Sequence, residues 1–282
     1  MNYKECYNRG KGALAAAGVP EADLDARLLL EYVCGTDRNT LLVHGDREVT
    51  AEEQSQYDTL IEKRAQRVPL QQITGVQDFM GLTFQVNSDV LIPRQDTEIL
   101  VEEVLGNLHD GMRVLDMCTG SGCILISLLR YSNGCEGTGA DVSEKALAVA
   151  QRNAAELLPR PEAVSFVQSD LFESVEGTYD IVVSNPPYIA TDVIETLMPE
   201  VKDHEPRIAL DGTGDGLFFY RQIIKDCKKN LAKGGMLFFE IGYDQGEAVR
   251  LLMEENGFLE VTVKQDYSGL DRVVFGTLCF DA

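Results

Sequence analysis

Residues 181–188, IVVSNPPY, set a carboxamide and two prolines directly behind a run of β-formers. Ile181, Val182 and Val183 read as a short strand covered on both faces. Pro186 and Pro187 end it, because neither donates to a sheet ladder and both fix φ. Asn185 is therefore expected just past the strand, kept extended by the proline that follows. An amide locked at the carboxyl edge of a parallel sheet stands where open α/β folds place their ligands. For the Asn-Pro dipeptide alone, a plain strand-ending turn is the simpler account.

A second group of residues lies upstream. VLDMCTGSGCILISLL (114–129) sets the turn Cys118-Thr119-Gly120-Ser121-Gly122 between a strand and a helix, and its glycines allow a ligand close to the backbone. The turn lacks the full GxGxxG phosphate pattern. Twenty-five residues after Asp116 the next strand, GTGADV, ends in Asp141, placed to accept hydrogen bonds from ribose hydroxyls. After the third strand, SDLF puts Asp170 and Leu171 where they flank a flat base. Each acid alone reads equally well as a cap or turn residue. At the ends of three consecutive strands, they describe a nucleoside pocket.

The elements that must carry these residues follow an alternating pattern from residue 112 onward. MRVLDM precedes ILISLLR, GTGADV precedes KALAVAQRNAAEL, and VSFVQSD and YDIVVSN follow. KGGMLFFEIG, a helix over 246–256 and the pair FLEVTVKQD and RVVFGTLCF complete the chain. This is the βαβ pattern of a doubly wound α/β sheet, with the final pair antiparallel at one edge. The first 75 residues read as helical. DLDARLLLEYVCG has helical spacing from Pro20 or Asp23, and Thr50 with Glu53 forms a capping box for a helix reaching Arg67, ended by Pro69. Met80-Gly81 predicts a hairpin, and LIPRQDTE leads into a helix capped near Asp96 or Thr97, with Ile99, Leu100 and Val104 inside. The expected division is a helical domain at 1–74, a β-hairpin linker at 75–92 and a catalytic domain at 93–282. The alternative is that the first helices merely flank the main fold.

Composition narrows the classes. The 282 residues are 44% hydrophobic and 25% charged, as in ordinary globular proteins. No apolar stretch reaches the roughly 18 residues of a membrane span. The opening MNYKECYNRGKGAL carries charges where a signal peptide is apolar, and seven cysteines without a CxxC pair suit a reducing cytoplasm. Three scattered histidines make no metal cluster, so no metal is expected. Net charge is −21: residues 1–75 carry 9 basic and 12 acidic side chains, the remainder 16 and 34. That balance repels phosphate backbones and argues against a duplex-DNA binder, while leaving open a basic surface on a protein partner.

VLDMCTGSGC, ADVS, SDLF and SNPPY together resemble a class I S-adenosylmethionine-dependent methyltransferase. With TGVQDFMGLTFQV, LIPRQDTE, EPRIALDGTGDGL and DRVVFG, the whole chain is similar to the peptide chain release factor N5-glutamine methyltransferases of the PrmC/HemK type. The resemblance implies a Rossmann-like, mostly parallel seven-stranded sheet with an antiparallel edge hairpin, plus a small helical N-terminal domain. It implies S-adenosyl-L-methionine held by Cys118, Thr119, Gly120, Ser121, Gly122, Asp141, Asp170, Leu171 and Asn185. Asn185, Pro186 and Tyr188 would be the catalytic group, with Pro187 and Arg94 completing the substrate contacts. The implied partners are class I release factors, docked by the helical N-terminal domain so that NPPY receives the glutamine of their Gly-Gly-Gln loop, with no stable nucleic-acid or membrane binding. Cys118 stands where glycine is common, and Gln95 where proline is common.

On that reading, the acceptor is a planar amide nitrogen, a poor nucleophile whose lone pair is delocalised. The Asn185 side-chain oxygen and the Pro186 carbonyl would accept its two N–H bonds, and Tyr188 would pack on its plane. LIPRQDTE, with Arg94, Asp96 and Glu98, would lie beside the methionine part of the cofactor and the substrate entrance. Asp96 and Glu98 read equally well as a helix-capping, salt-bridged hinge. Glu205 and Pro206 either line that entrance or turn the chain, and Tyr267 to Arg272 shape the last hairpin. The rivals are a ribosomal-protein glutamine methyltransferase, an adenine-N6 nucleic-acid methyltransferase and a non-enzymatic scaffold.

Overall fold

A computed structural model describes residues 1–279, so the last residues of the expected 93–282 span and of RVVFGTLCF lie outside the described residues. The chain divides into two units, Met1–Val76 with Met198–His204, and Gln77–Leu197 with Glu205 onward.

The first unit is helical. Helix α1 (Tyr3–Ala16) starts at a capping box between Asn2 and Glu5. Helix α2 (Ala22–Cys34) stops at Gly35 in the left-handed conformation, and α3 (Arg38–Val43) is capped by Asp37. Helix α4 (Ala51–Ala65) starts from the expected Thr50–Glu53 capping box. It ends at Ala65 rather than Arg67, because Arg67 takes a φ of 69°. Helix α5 (Leu70–Thr74) follows Pro69. Leu14, Leu29, Leu30, Tyr57 and Ile61 fill the core. Gly10 faces Tyr57 so closely that a Cβ there would lie 2.1 Å from the phenol oxygen.

Residues 198–204, which sequence reading put with the catalytic domain, belong to this unit for an electrostatic reason. Arg64 bonds Asp25 (2.7 Å) and Glu200 (2.9 Å), while Arg67 grips both Glu200 oxygens at 2.7 and 2.5 Å. Gln72 also donates to the His204 carbonyl at 2.9 Å. Burial raises the Glu200 pKa, but the bonds from Arg67 and Arg64 outweigh it and hold the carboxyl at about 2. A carboxylate whose folded pKa lies below its ordinary 4.5 contributes stability above that value and loses it as pH falls towards 2. The helical unit is therefore expected to lose stability between about pH 4.5 and 2. In acid-unfolding titrations Glu200→Gln should be less stable at neutral pH, and the gap to the parent should close across that window. A gap that stays constant with pH removes Glu200 from the account.

The second unit begins within β1 (Val76–Phe79), which forms with β2 (Leu82–Gln85) a two-stranded sheet turned at Met80-Gly81, both at positive φ. Helix α6 (Asp96–Leu105) buries Ile99, Leu100 and Val104 as expected. Then come β3 (Arg113–Met117), α7 (Cys123–Tyr131), β4 (Glu136–Asp141), α8 (Glu144–Leu157), β5 (Val164–Gln168) and β6 (Tyr179–Ser184). After the short helix α9 (Pro199–Lys202) of the first unit follow α10 (Phe218–Asp226), β7 (Leu231–Glu240), α11 (Gly246–Glu255), β8 (Phe258–Gln265) and β9 (Asp271–Leu278). The seven strands run in the order β5-β4-β3-β6-β7-β9-β8. All pairs are parallel up to β7, and β9 is antiparallel to both neighbours, the edge expected from its short loop.

The apolar runs are continuous because both faces of the sheet are covered. Val114, Ile181, Val183 and Phe238 pack with α6 and α7 on one face. Their strand neighbours Leu115, Val182, Leu237 and Phe239 pack with α10 and α11 on the other. Each such side chain contributes roughly 1.5–3 kcal/mol on full burial. Among the described residues no helix is long and apolar enough to cross a membrane.

Candidate active site

Strand order reverses at β3. The chain runs outward through β4 and β5, then returns to place β6 on the other side of β3. Loops leaving the carboxyl ends of β3 and β6 therefore part from each other, and a crevice opens between them. A cleft of about 270 Å³ lies there, lined by Met117 to Ser121, Asp141, Asp170, Leu171, Asn185 and Pro187.

The loop after β3 is held from below. Thr119 N donates to the Ala140 carbonyl (3.0 Å), and the Thr119 hydroxyl donates to Asp116 Oδ2 at 2.6 Å. Asp116 is fully buried, and its Oδ1 has no hydrogen-bond partner among the described residues. Burial pushes its carboxyl up to about 7, against the Thr119 bond. Cys118 adopts φ 63°, in the region where glycine alone carries no steric cost, and a side chain there costs roughly 1–2 kcal/mol. Burial also raises the Cys118 thiol, so it stands in the cleft wall as a neutral group. Gly122 does not line the cleft. It packs under it at φ 79°, where a Cβ would meet Ile126 at 2.9 Å and Ala150 at 3.2 Å.

Asp141, at the tip of β4, accepts from Gly120 N and Ser143 N, each at 2.9 Å. Burial raises its pKa despite these bonds. A carboxylate offers about four lone-pair sites, so Asp141, on the cleft wall, keeps acceptor capacity beyond these bonds. Asp141→Ala should weaken binding of an adenosyl ligand by about 1–3 kcal/mol, the cost of unpaired hydroxyls plus a loosened loop. Calorimetry showing unchanged affinity for S-adenosyl-L-methionine would remove Asp141 from the ribose contact.

On the β6 side, Ser184 pairs with Met117 and Phe239 and donates its hydroxyl to the Met117 carbonyl at 2.6 Å. Asn185 follows, half-buried, on the cleft wall. Neither its side-chain amide nor the Pro186 carbonyl has a hydrogen-bond partner among the described residues. Tyr188 does not line the cleft. Its hydroxyl turns inward to Glu240 Oε1 at 3.3 Å, and Gln245 Nε2 holds its carbonyl at 3.0 Å. The EPRIALDGTGDGL segment supports this turn from outside. Ile189 N donates to the Leu210 carbonyl and the Ile189 carbonyl accepts from Gly212 N, and a Cβ on Gly216 would sit 2.4 Å from the Tyr188 carbonyl oxygen.

Arg94 lines the cleft and donates to Glu205 Oε2 at 2.6 Å. Glu205 is buried, also accepts Ile92 N at 3.3 Å, and so anchors the LIPR segment, while Pro206 is on the cleft wall. Asp96 pairs with Arg272 (3.3 Å), which also binds Asp266 at 3.1 Å. Glu98 accepts Met80 N at 2.6 Å. Sequence reading passed over Asp116, Glu240 and Gln245 as site residues. An acid inside an apolar strand was the available signal for the first two. Gln245 had none.

Comparison with known proteins gives the following. Residues 5–75 match the model of the PrmC N-terminal domain, and residues 94–201 that of the methyltransferase small domain. The chain is 41% identical over 275 residues to a release factor glutamine methyltransferase of Caulobacter vibrioides, covering 96% of this chain and 95% of that one. It is 42% identical over 269 residues to one from Geobacter sulfurreducens, covering 95% and 94%. A methyltransferase from Pyrococcus furiosus superposes with a TM-score of 0.51 at 16% identity, over 71% of this chain and 90% of that one, a likeness of fold.

Proposed function

This chain belongs to the release factor glutamine methyltransferases, and from that premise we propose that it methylates the side-chain amide nitrogen of the glutamine in the Gly-Gly-Gln loop of class I release factors. The observation that carries the reading is Asn185, an amide without a hydrogen-bond partner among the described residues, held at the switch point of the sheet on the wall of the cleft. S-adenosyl-L-methionine, when bound, supplies an electrophilic methyl group on a sulfonium. The cleft suits it: Asp141 keeps lone pairs for ribose hydroxyls, Leu171 offers an apolar edge for a base, and Gly120 leaves open room where a side chain would stand.

Asn185 Oδ1 and the Pro186 carbonyl accept the two N–H bonds of the incoming amide. They aim its nitrogen along the cleft and favour the positive charge that grows on it during displacement. The prolines fix the direction of that carbonyl. Arg94, pinned by Glu205, stands at the entrance beside Pro206. The reading places the protein in the cytoplasm, where its seven unpaired thiols suit a reducing compartment.

The deciding experiment supplies labelled methyl donor with purified release factor, a ribosomal-protein fraction and adenine-containing duplex DNA. Label is expected on the release factor alone, and should vanish when its Gly-Gly-Gln glutamine is replaced. Label on a ribosomal protein or on DNA moves the chain to the corresponding rival.

A further inference from the structure

Glu240 has no task in the reading above. It ends β7 immediately after Phe239, whose backbone pairs with Ser184, the residue before Asn185. It is 2% exposed, and Oε2 has no hydrogen-bond partner among the described residues. A buried carboxylate with an incomplete set of partners is costly, and an apolar residue of similar volume is often neutral or stabilising. What the carboxylate does here is meet two segments that line or bound the cleft. Tyr188, three residues past Asn185, donates its hydroxyl to Oε1 at 3.3 Å. Thr97, from LIPRQDTE, and the Arg272 and Asp96 charges stand near the same side chain.

The surrounding contacts make this a fixed platform. Tyr220 donates to the Glu240 carbonyl at 3.0 Å. Gln245 receives Gly242 N on Oε1 (2.9 Å) and gives Nε2 to the Tyr188 carbonyl at 3.0 Å. Tyr188 is thus held at both ends, its carbonyl by Gln245 and its ring by Glu240. The ring's hold is the one a substitution of Tyr188 itself can remove.

We propose that Glu240 is a positioning residue for methyl transfer, acting through the Tyr188 hydroxyl to keep the Asn185 and Pro186 acceptors converged on the amide. The inference rests on the methyltransferase reading above. Because Glu240 works through Tyr188, the two are energetically one unit, and contacting residues of that kind show non-additive losses.

The test is a double-mutant cycle. Glu240→Leu, which removes the acceptor, should lower kcat about 10-fold, with KM for release factor and Kd for S-adenosyl-L-methionine within about 2-fold of the parent. Glu240→Gln, which keeps an oxygen, should lose less than about 3-fold. In a Tyr188→Phe background neither substitution should cost anything further. Unchanged kcat in Glu240→Leu, or losses that multiply in the double variants, overturns the proposal. A second readout needs no substrate and serves if the leucine variant fails to fold. With tyrosines 13C-labelled at the ζ-carbon, the resonance absent from Tyr188→Phe should shift in Glu240→Gln, and an unmoved resonance overturns the proposal. Parent protein inactive on release factor would instead sink the functional reading.

Discussion

Asn185→Ala is expected to slow methyl transfer about 10²–10³-fold, the loss typical of one preorganised polar contact to a developing charge. The nucleophile is the source of this sensitivity. An amide nitrogen has its lone pair committed to the carbonyl, so a site must favour the geometry and charge distribution of the moment of transfer. Asn185 supplies one of two acceptors, and it does so from a backbone position that three constraints determine. Ser184 is locked into the sheet between Met117 and Phe239, Pro186 restricts Asn185, and Tyr188 is tied to Gln245. The alanine variant therefore keeps the turn and loses the acceptor alone. Turnover at saturating substrate should fall while S-adenosyl-L-methionine affinity changes far less. Normal turnover under those conditions would show that the amide clamp is wrong.

A free peptide carrying Gly-Gly-Gln is expected to be methylated at least about 30-fold less efficiently, in kcat/KM, than the folded release factor. That factor corresponds to losing one contact worth ~2 kcal/mol. Remote contacts on a large partner supply binding energy that orders the reacting amide, and a short peptide forfeits them. On the proposed reading that grip falls to the helical unit, which has a separate core and its own caps. Deleting residues 1–75 is a poor way to ask the question, because it would strip Glu200 of both arginine partners and leave residues 198–204 without their core. Comparing peptide with intact factor on the whole chain avoids this. Equal efficiency on both would end the docking role.

Much of this was legible in the sequence because it is local. The capping box at Thr50 and Glu53, the strand ended by Pro186, and the neighbouring apolar residues at 114–115 and 181–183 are patterns within a few positions. The cleft residues after β3, β4 and β5 were readable because a parallel sheet gathers its strand ends at one edge. What stayed hidden depends on distant partners. Glu200 looks like any surface acid until Arg64 and Arg67 are brought to it, and Tyr188 gives no hint that its hydroxyl turns inward to Glu240. Asp116 was visible as an acid in an apolar strand, yet its unpartnered oxygen could be seen only once its neighbours were in place.

The discontinuity of the helical unit bears on how the chain is made. Arg67 and Glu200 are 133 residues apart, so both arginines leave the ribosome long before the carboxylate they hold. At ~5–20 residues per second the delay is on the order of ten seconds. During that interval the nascent helices have their apolar core and no anion for Arg64 and Arg67, apart from the Asp25 contact to the first. The unit that begins the chain is thus completed only after four of the seven strands of the large sheet have been synthesised, and its last piece arrives on the segment that has just carried Asn185 out of the tunnel.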